Sequence, residues 1–217
     1  EFSRVLFRSD AKATNRFGMT PLFAAAENGN AAIIERLIKA GADPNGTVPG
    51  GETALHTAAR TGKVDAIKAL LARGAKVDAR EERRGQTPMM WAASNNNAEA
   101  IRVLAGAGAD IKARATGPKP IETHTGYRPR MGGWDIRRPD AATPLLFAVR
   151  RGYLDATKTL VSLGADVNDQ LPDKTSALVV AIANANWEVA GYLLDHGADP
   201  NANAQGWGPL HQLARTR

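Results

Sequence analysis

The sequence predicts an all-α solenoid of stacked helix-turn-helix units joined by finger-like loops. Three observations carry this. A Thr-Pro-Leu-like signature returns at Thr20, Thr53, Thr87, Thr143, Ser176 and Gly208, with starts 33, 34, 56, 33 and 32 residues apart. A Gly-Ala pair follows each of the first five starts after an unvarying 21 residues, at Gly41, Gly74, Gly108, Gly164 and Gly197. Ala and Leu are plentiful while aromatics make up only 6% of the chain, a composition suited to small, closely packed helices. All variation in length therefore falls between one Gly-Ala and the next signature, and none inside a unit.

Within a unit the first helix opens at the signature. Thr or Ser is expected to accept a hydrogen bond from the free N–H groups of the first turn, and Pro at the next position needs no N–H partner. Nine residues on, Gly29, Gly62 and Gly152 supply a left-handed turn; Asn96 tolerates that conformation and Ala185 fits it poorly. The second helix spaces apolar residues at i and i+3/i+4, with Ile33, Ile34, Leu37 and Ile38 in the first unit. Val189, Ala190, Leu193 and Leu194 repeat this in the fifth unit. The Gly of Gly-Ala-Asp then ends the helix. Asp43, Asp110, Asp166 and Asp199 recur after it, a placement suited to hydrogen bonding within the turn, and Lys76 stands there in the second unit. Trp91 and Phe147 are expected between adjacent first helices, and Trp187, which opens a second helix, is expected to pack as well.

The stretch GGETALHTAARTGKVDAIKALLARGAKVDAR, residues 50–80, resembles the ankyrin repeat, whose pattern runs G-x-T-P-L-H-x-A-A, then G, LL and GA-D-x-N. The resemblance covers residues 10–217 in five full units and a sixth begun at Gly208, with repeat starts near 18, 51, 85, 141, 174 and 206. Asp10–Asn15 reads as the tail of an earlier finger and the sixth unit stops short, so a fragment of a longer array is expected. Residues 1–9 are set apart from the fold: Val5–Ser9 is the in-frame translation of the end of a common sequencing adapter, and a non-native segment is expected there. The family's histidine survives at His56 and His211, where the resemblance implies a structural imidazole tying neighbouring turns; Phe23, Met90, Leu146 and Val179 replace it elsewhere.

The chain has no cysteine, no uninterrupted apolar run of spanning length, no nucleophile-elbow motif and no phosphate-cradling Gly-rich loop. Its four histidines lack metal-ligand spacing. No catalytic, cofactor or metal site is therefore expected, and the chain is not expected to be an enzyme or to insert in a membrane. A monomer is expected; the compartment stays open.

What remains is binding. Residues 113–140 interrupt the rhythm with about 23 extra residues, placed where a repeat admits insertion. Residues 112–140 hold seven basic side chains against three acidic ones, so +4 of the chain's formal +6 lies there. Tyr127, Arg128, Arg130, Trp134, Arg137 and Arg138 are the expected anchors of this insertion, residue types enriched in binding hot spots. The ankyrin resemblance implies contacts from fingers and from the ends of first helices. Those are Glu52, Gln86 and Trp207 on fingers, with Glu27, Arg60, Asn95, Arg150 and Arg151 on helices. The expected function is a non-enzymatic scaffold binding another protein through fingers, concave helix face and insertion. The alternative is nucleic-acid or polyanion binding through residues 112–140, where Tyr127 and Trp134 could stack bases. The near-neutral repeats weigh against it.

Overall fold

The computed structural model describes residues 10–116 and 141–202, together with Pro209. Ten helices lie wholly within these stretches, in five pairs: α1 (Pro21–Asn28) with α2 (Ala31–Lys39), α3 (Ala54–Thr61) with α4 (Val64–Ala72), α5 (Pro88–Ala93) with α6 (Ala98–Gly106), α7 (Pro144–Arg151) with α8 (Leu154–Ser162), and α9 (Ala177–Ala183) with α10 (Trp187–Asp195). Each odd-numbered helix packs on the next odd one and each even helix on the next even one, giving an inner and an outer layer. The described residues contain no strands, only isolated bridges Thr47–Thr53 and Gln170–Ser176 at finger bases. This is an ankyrin-type solenoid, as the sequence predicts.

The helix ends follow local chemistry. Pro21, Pro88 and Pro144 stand at the start of α1, α5 and α7. Thr53, Thr143 and Ser176 cap α3, α7 and α9 by accepting the N–H three residues on. Thr20 and Thr87 do not, contrary to expectation. At Thr87 a cause is visible: Met90, in place of the histidine, offers only sulfur to the Thr87 N–H (3.4 Å) and leaves the buried hydroxyl without a partner.

The predicted turns are left-handed, and Ala185 adopts φ 56° despite its methyl group. Each outer helix closes in a Schellman arrangement: at α2 the Ala42 N–H reaches the Leu37 carbonyl and the Gly41 N–H reaches that of Ile38, both at 3.0 Å. The recurring aspartates make the expected turns, each accepting the N–H two residues on at 2.8–2.9 Å, and Asp10 does the same.

The core runs unbroken between the two layers, filled by residues such as Leu22, Ile34, Leu55, Ile67, Met89, Ile101, Leu145 and Leu160. Phe147 is buried as expected, and Trp91 is half-buried, edge-on to His56 with ring centroids 5.3 Å apart. Trp187 and Leu194 depart from expectation, standing 49% and 44% exposed. Leu71, Ala105 and Val161, which hold the place of Leu194 in earlier units, are partly buried against the core.

Asparagines stitch neighbouring units. Asn97 donates from Nδ2 to the carbonyls of Ala59 (2.9 Å) and Arg60 (2.8 Å), and Asn186 does the same to Val149 and Arg150. On the fingers Asn45 donates to the Gly74 carbonyl (2.9 Å) and accepts the Lys76 N–H (2.8 Å); Asn168 repeats this with Gly197 and Asp199. Each pairs an amide with backbone groups one unit away, which fixes the register of stacking.

Candidate functional site

The surface in question is built by the C-terminal ends of the inner helices and by the fingers that continue from the outer ones. On the helices Glu27 and Arg60 meet across neighbouring units at 3.2 Å, both close to half exposed. Such an open ion pair contributes about 0–1 kcal/mol. Asn95, two residues beyond α5, is exposed and donates to the Trp91 carbonyl of that helix at 2.8 Å. Arg151 is exposed and Arg150 half-buried, side by side in the last turn of α7.

Among the finger residues, Gln86 is half-buried and its backbone is fully engaged. Its N–H reaches the Glu81 carboxylate (3.0 Å), and its carbonyl accepts from the Glu81 N–H (3.1 Å) and from His56 Nε2 (3.0 Å). Only its side chain is left for contact. Glu52 is half-buried beside it in chain order of fingers, its carbonyl accepting the Val48 N–H at 3.0 Å. Tyr127, Arg128, Arg130, Trp134, Arg137, Arg138 and Trp207 lie outside the described residues, as do residues 1–9, His124 and His211.

His56 holds the junction beneath this surface. Its Nδ1 accepts from the Thr53 N–H (3.2 Å) and hydroxyl (2.9 Å), and its Nε2–H donates to Gln86 in the next finger. A carbonyl can only accept, so the ring is the neutral Nε2–H tautomer. Burial lowers its pKa from 6.5, against the raising influence of the Gln86 bond and the Glu81 charge. Where Leu146 replaces the histidine, Asp169 does the equivalent work: it is buried and receives the Thr143 hydroxyl, bridging α7 to the following finger.

Sequence reasoning missed Asp169, Glu81 and the role of Arg114. The buried Glu81 carboxylate accepts three N–H groups, from Arg83, Arg84 and Gln86, and so folds the second fingertip. Arg114 closes the root of the insertion. Its Nη1 donates to the carbonyls of Ala141 (2.8 Å) and Gln170 (2.9 Å), and its Nη2 pairs with Asp169. The Ala115 N–H donates to the Ala142 carbonyl at 3.1 Å, so both ends of the insertion meet. A readable signal existed: Arg80 and Arg114 both stand six residues after their Gly-Ala glycine. Arg80 likewise donates to Gly85 and Arg114 carbonyls, both at 2.8 Å, on a finger without insertion.

The described residues contain no cluster of three or more His, Asp or Glu placed to hold a metal ion. Nor is any of their helices long and apolar enough to cross a membrane. What the surface offers chemically is a row of exposed and half-exposed charges and amides along successive units.

The family pattern described as ankyrin repeats (3 copies) matches residues 2–81, 41–115 and 145–217. Neurogenic locus notch homolog protein 2 of Homo sapiens is 33% identical over 175 residues, covering 80% of this chain and 6% of that protein. Neurogenic locus notch homolog protein 1 of Mus musculus is 32% identical over 196 residues, 84% of this chain and 7% of that one. The chain thus spans a small fraction of the length of these curated relatives. Among solved structures, the human ASB11 ankyrin repeat domain superposes with a TM-score of 0.72 at 26% identity, covering 91% of this chain and 78% of that one. With its helix pairs, its Thr–His–finger junction and these matches in agreement, the chain belongs to the ankyrin-repeat family.

Proposed function

We propose that this chain is a non-enzymatic interaction module that binds another protein along the inner-helix ends and fingers, with the basic insertion adding contacts. Ankyrin repeats generally mediate protein–protein interaction, and that coarser role follows from family membership. The observation that carries the finer reading is the placement of Arg60, Asn95 and Arg151 on one edge of the inner layer, exposed at the same end of successive helices. Stacked units hold the backbone beneath these side chains in a fixed register, so that binding has only the side chains left to order. Glu52 and Gln86 on the fingers add to this edge, Arg150 lies beside Arg151, and Trp207 is included from its place in the sequence. Tyr127, Arg128, Arg130, Trp134, Arg137 and Arg138 supply the insertion's share.

The test is a double charge reversal, Arg60→Glu with Arg151→Glu, assayed against a partner recovered with the unaltered protein. Binding should weaken at least about tenfold, since reversing a contacting charge replaces attraction with repulsion. The helical circular dichroism should not change. A partner that binds the reversed variant equally well removes this edge from the interface.

A further inference from the structure

The insertion divides the array between its third and fourth units, yet the stacking continues across it. α5 packs on α7 and α6 on α8 as the other neighbours do. The Asn96 side chain accepts the Ala156 N–H at 3.0 Å, and Arg102 reaches the Thr159 hydroxyl at 3.3 Å. Ala92, Ala93, Ile101 and Leu104 on one side, with Leu145, Leu146 and Leu160 on the other, are fully or almost fully buried. Among the described residues, the two halves are thus joined by a continuous set of side-chain and backbone contacts.

At the centre of this junction stands Arg114. One guanidinium binds the far root of the insertion through Ala141, and the following finger through Gln170 and Asp169. Asp169 is itself held by the Thr143 hydroxyl and the Gln170 N–H, so its charge is fixed in place for the arginine. Thr116 donates to the Arg84 carbonyl at 2.7 Å, anchoring the near root to the preceding finger. A planar fork with several donors in fixed geometry suits such a three-way junction in a way that a lysine ammonium does not.

We propose that Arg114 is a clamp that holds the array closed across the insertion, so that a chain opened between residues 116 and 141 remains a single two-piece body. The two halves then recognise one another as a specific interface: the open face of the third unit fits the open face of the fourth, and Arg114–Asp169 locks their fingers. Covalent continuity through the insertion is not what keeps the units together. The array can accordingly be cut, lengthened or exchanged at this one place while its remaining surface stays assembled. This holds whatever partner the array binds.

The test replaces residues 123–129 of the full chain by the recognition sequence of a site-specific protease, then cleaves the folded protein. The two pieces should co-elute in gel filtration with the helical signal of the uncut chain. The same protein carrying Arg114→Ala should fold before cleavage, and its pieces should dissociate at least about tenfold more readily, the scale of a lost charged hydrogen-bond set. Arg114→Lys, which keeps the charge but not the fork, should fall between. Pieces of the unaltered protein that separate at once would falsify the closed junction. If Arg114→Ala pieces hold as tightly as the original, the clamp assignment fails and apolar stacking alone joins the halves. Should Arg114→Ala unfold the uncut chain, the Arg114→Lys comparison decides, and equal affinity there likewise overturns the role of the fork.

Discussion

At the scale of single residues, one junction is closed in two different ways and left without a side-chain bond in a third unit. His56 links Thr53 to the next finger, Asp169 links Thr143 to the next finger, and at Thr87 the hydroxyl has no partner because Met90 supplies none. The histidine version is sensitive to pH, and the sign can be worked out. Burial depresses the folded pKa of His56 below 6.5, so the unfolded chain takes up a proton that the folded one resists. The ring's contribution is thus fully present above about pH 6.5 and is lost as pH falls from there towards the folded pKa. In urea denaturation the unaltered protein should lose stability between about pH 7 and pH 5 more steeply than His56→Gln, which has no proton to bind. Parallel slopes for the two proteins would show that the imidazole is not held neutral. Asp169 could not have been foreseen as its counterpart, because nothing in a single sequence marks which finger aspartate folds back onto a threonine.

At the scale of an element, the turn between paired helices decides whether they pack. Gly152 turns at φ 73°, with Asn186 so close that an added Cβ would lie 2.5 Å from its Oδ1. Ala185 makes the same turn at φ 56° with a methyl group in a region that costs an L-residue about 1–2 kcal/mol. Ala185→Gly should relieve that strain, and part of the gain is offset by greater freedom of the unfolded chain, leaving a net stabilisation of about 0.5–1 kcal/mol. Gly152→Ala should destabilise by more than this. Thermal or urea melts of both variants check the pair, and a stabilising Gly152→Ala would contradict the geometry described. Turns, caps and apolar stripes of this kind were legible because each depends on residues within one unit. The Trp187 and Leu194 exposures were not, since helical spacing shows which residues share a face and not whether a neighbour covers that face. Glu81 escaped notice for a related reason: its partners are backbone N–H groups, which carry no residue-specific signature, whereas Arg114 shares its place in the unit with Arg80.

At the scale of the molecule, the insertion is an addition to one finger of a closed stack. Lengthening a loop about threefold costs only about 1 kcal/mol in closure entropy, since each doubling adds roughly 0.6. Replacing residues 117–139 by a short turn should therefore leave helicity intact and stability within about 1–2 kcal/mol, while partner binding is lost. Unchanged binding would assign recognition to the helices and fingers alone. For the polyanion alternative, affinity should fall by about 0.7–0.9 log units per log unit of salt for each phosphate neutralised, and only weak binding should remain near physiological salt. Tight binding of single strands under those conditions would favour that alternative.

The hydrogen bonds between fingers and between helix pairs have a mechanical consequence. Side-chain bonds such as those of Asn45, Asn97, Asn168 and Asn186 span 29 to 38 residues, and Arg102–Thr159, Arg114–Gln170 and Asn96–Ala156, which cross the insertion, span 56 to 60. Every one reaches the adjoining unit and goes no further. Through these bonds a tension applied to the two ends is carried in series through each junction in turn, and none of them ties one unit to a more distant one. Pulled in this way, the protein should pay out length in repeat-sized steps, like a stack of springs whose softest coil opens first.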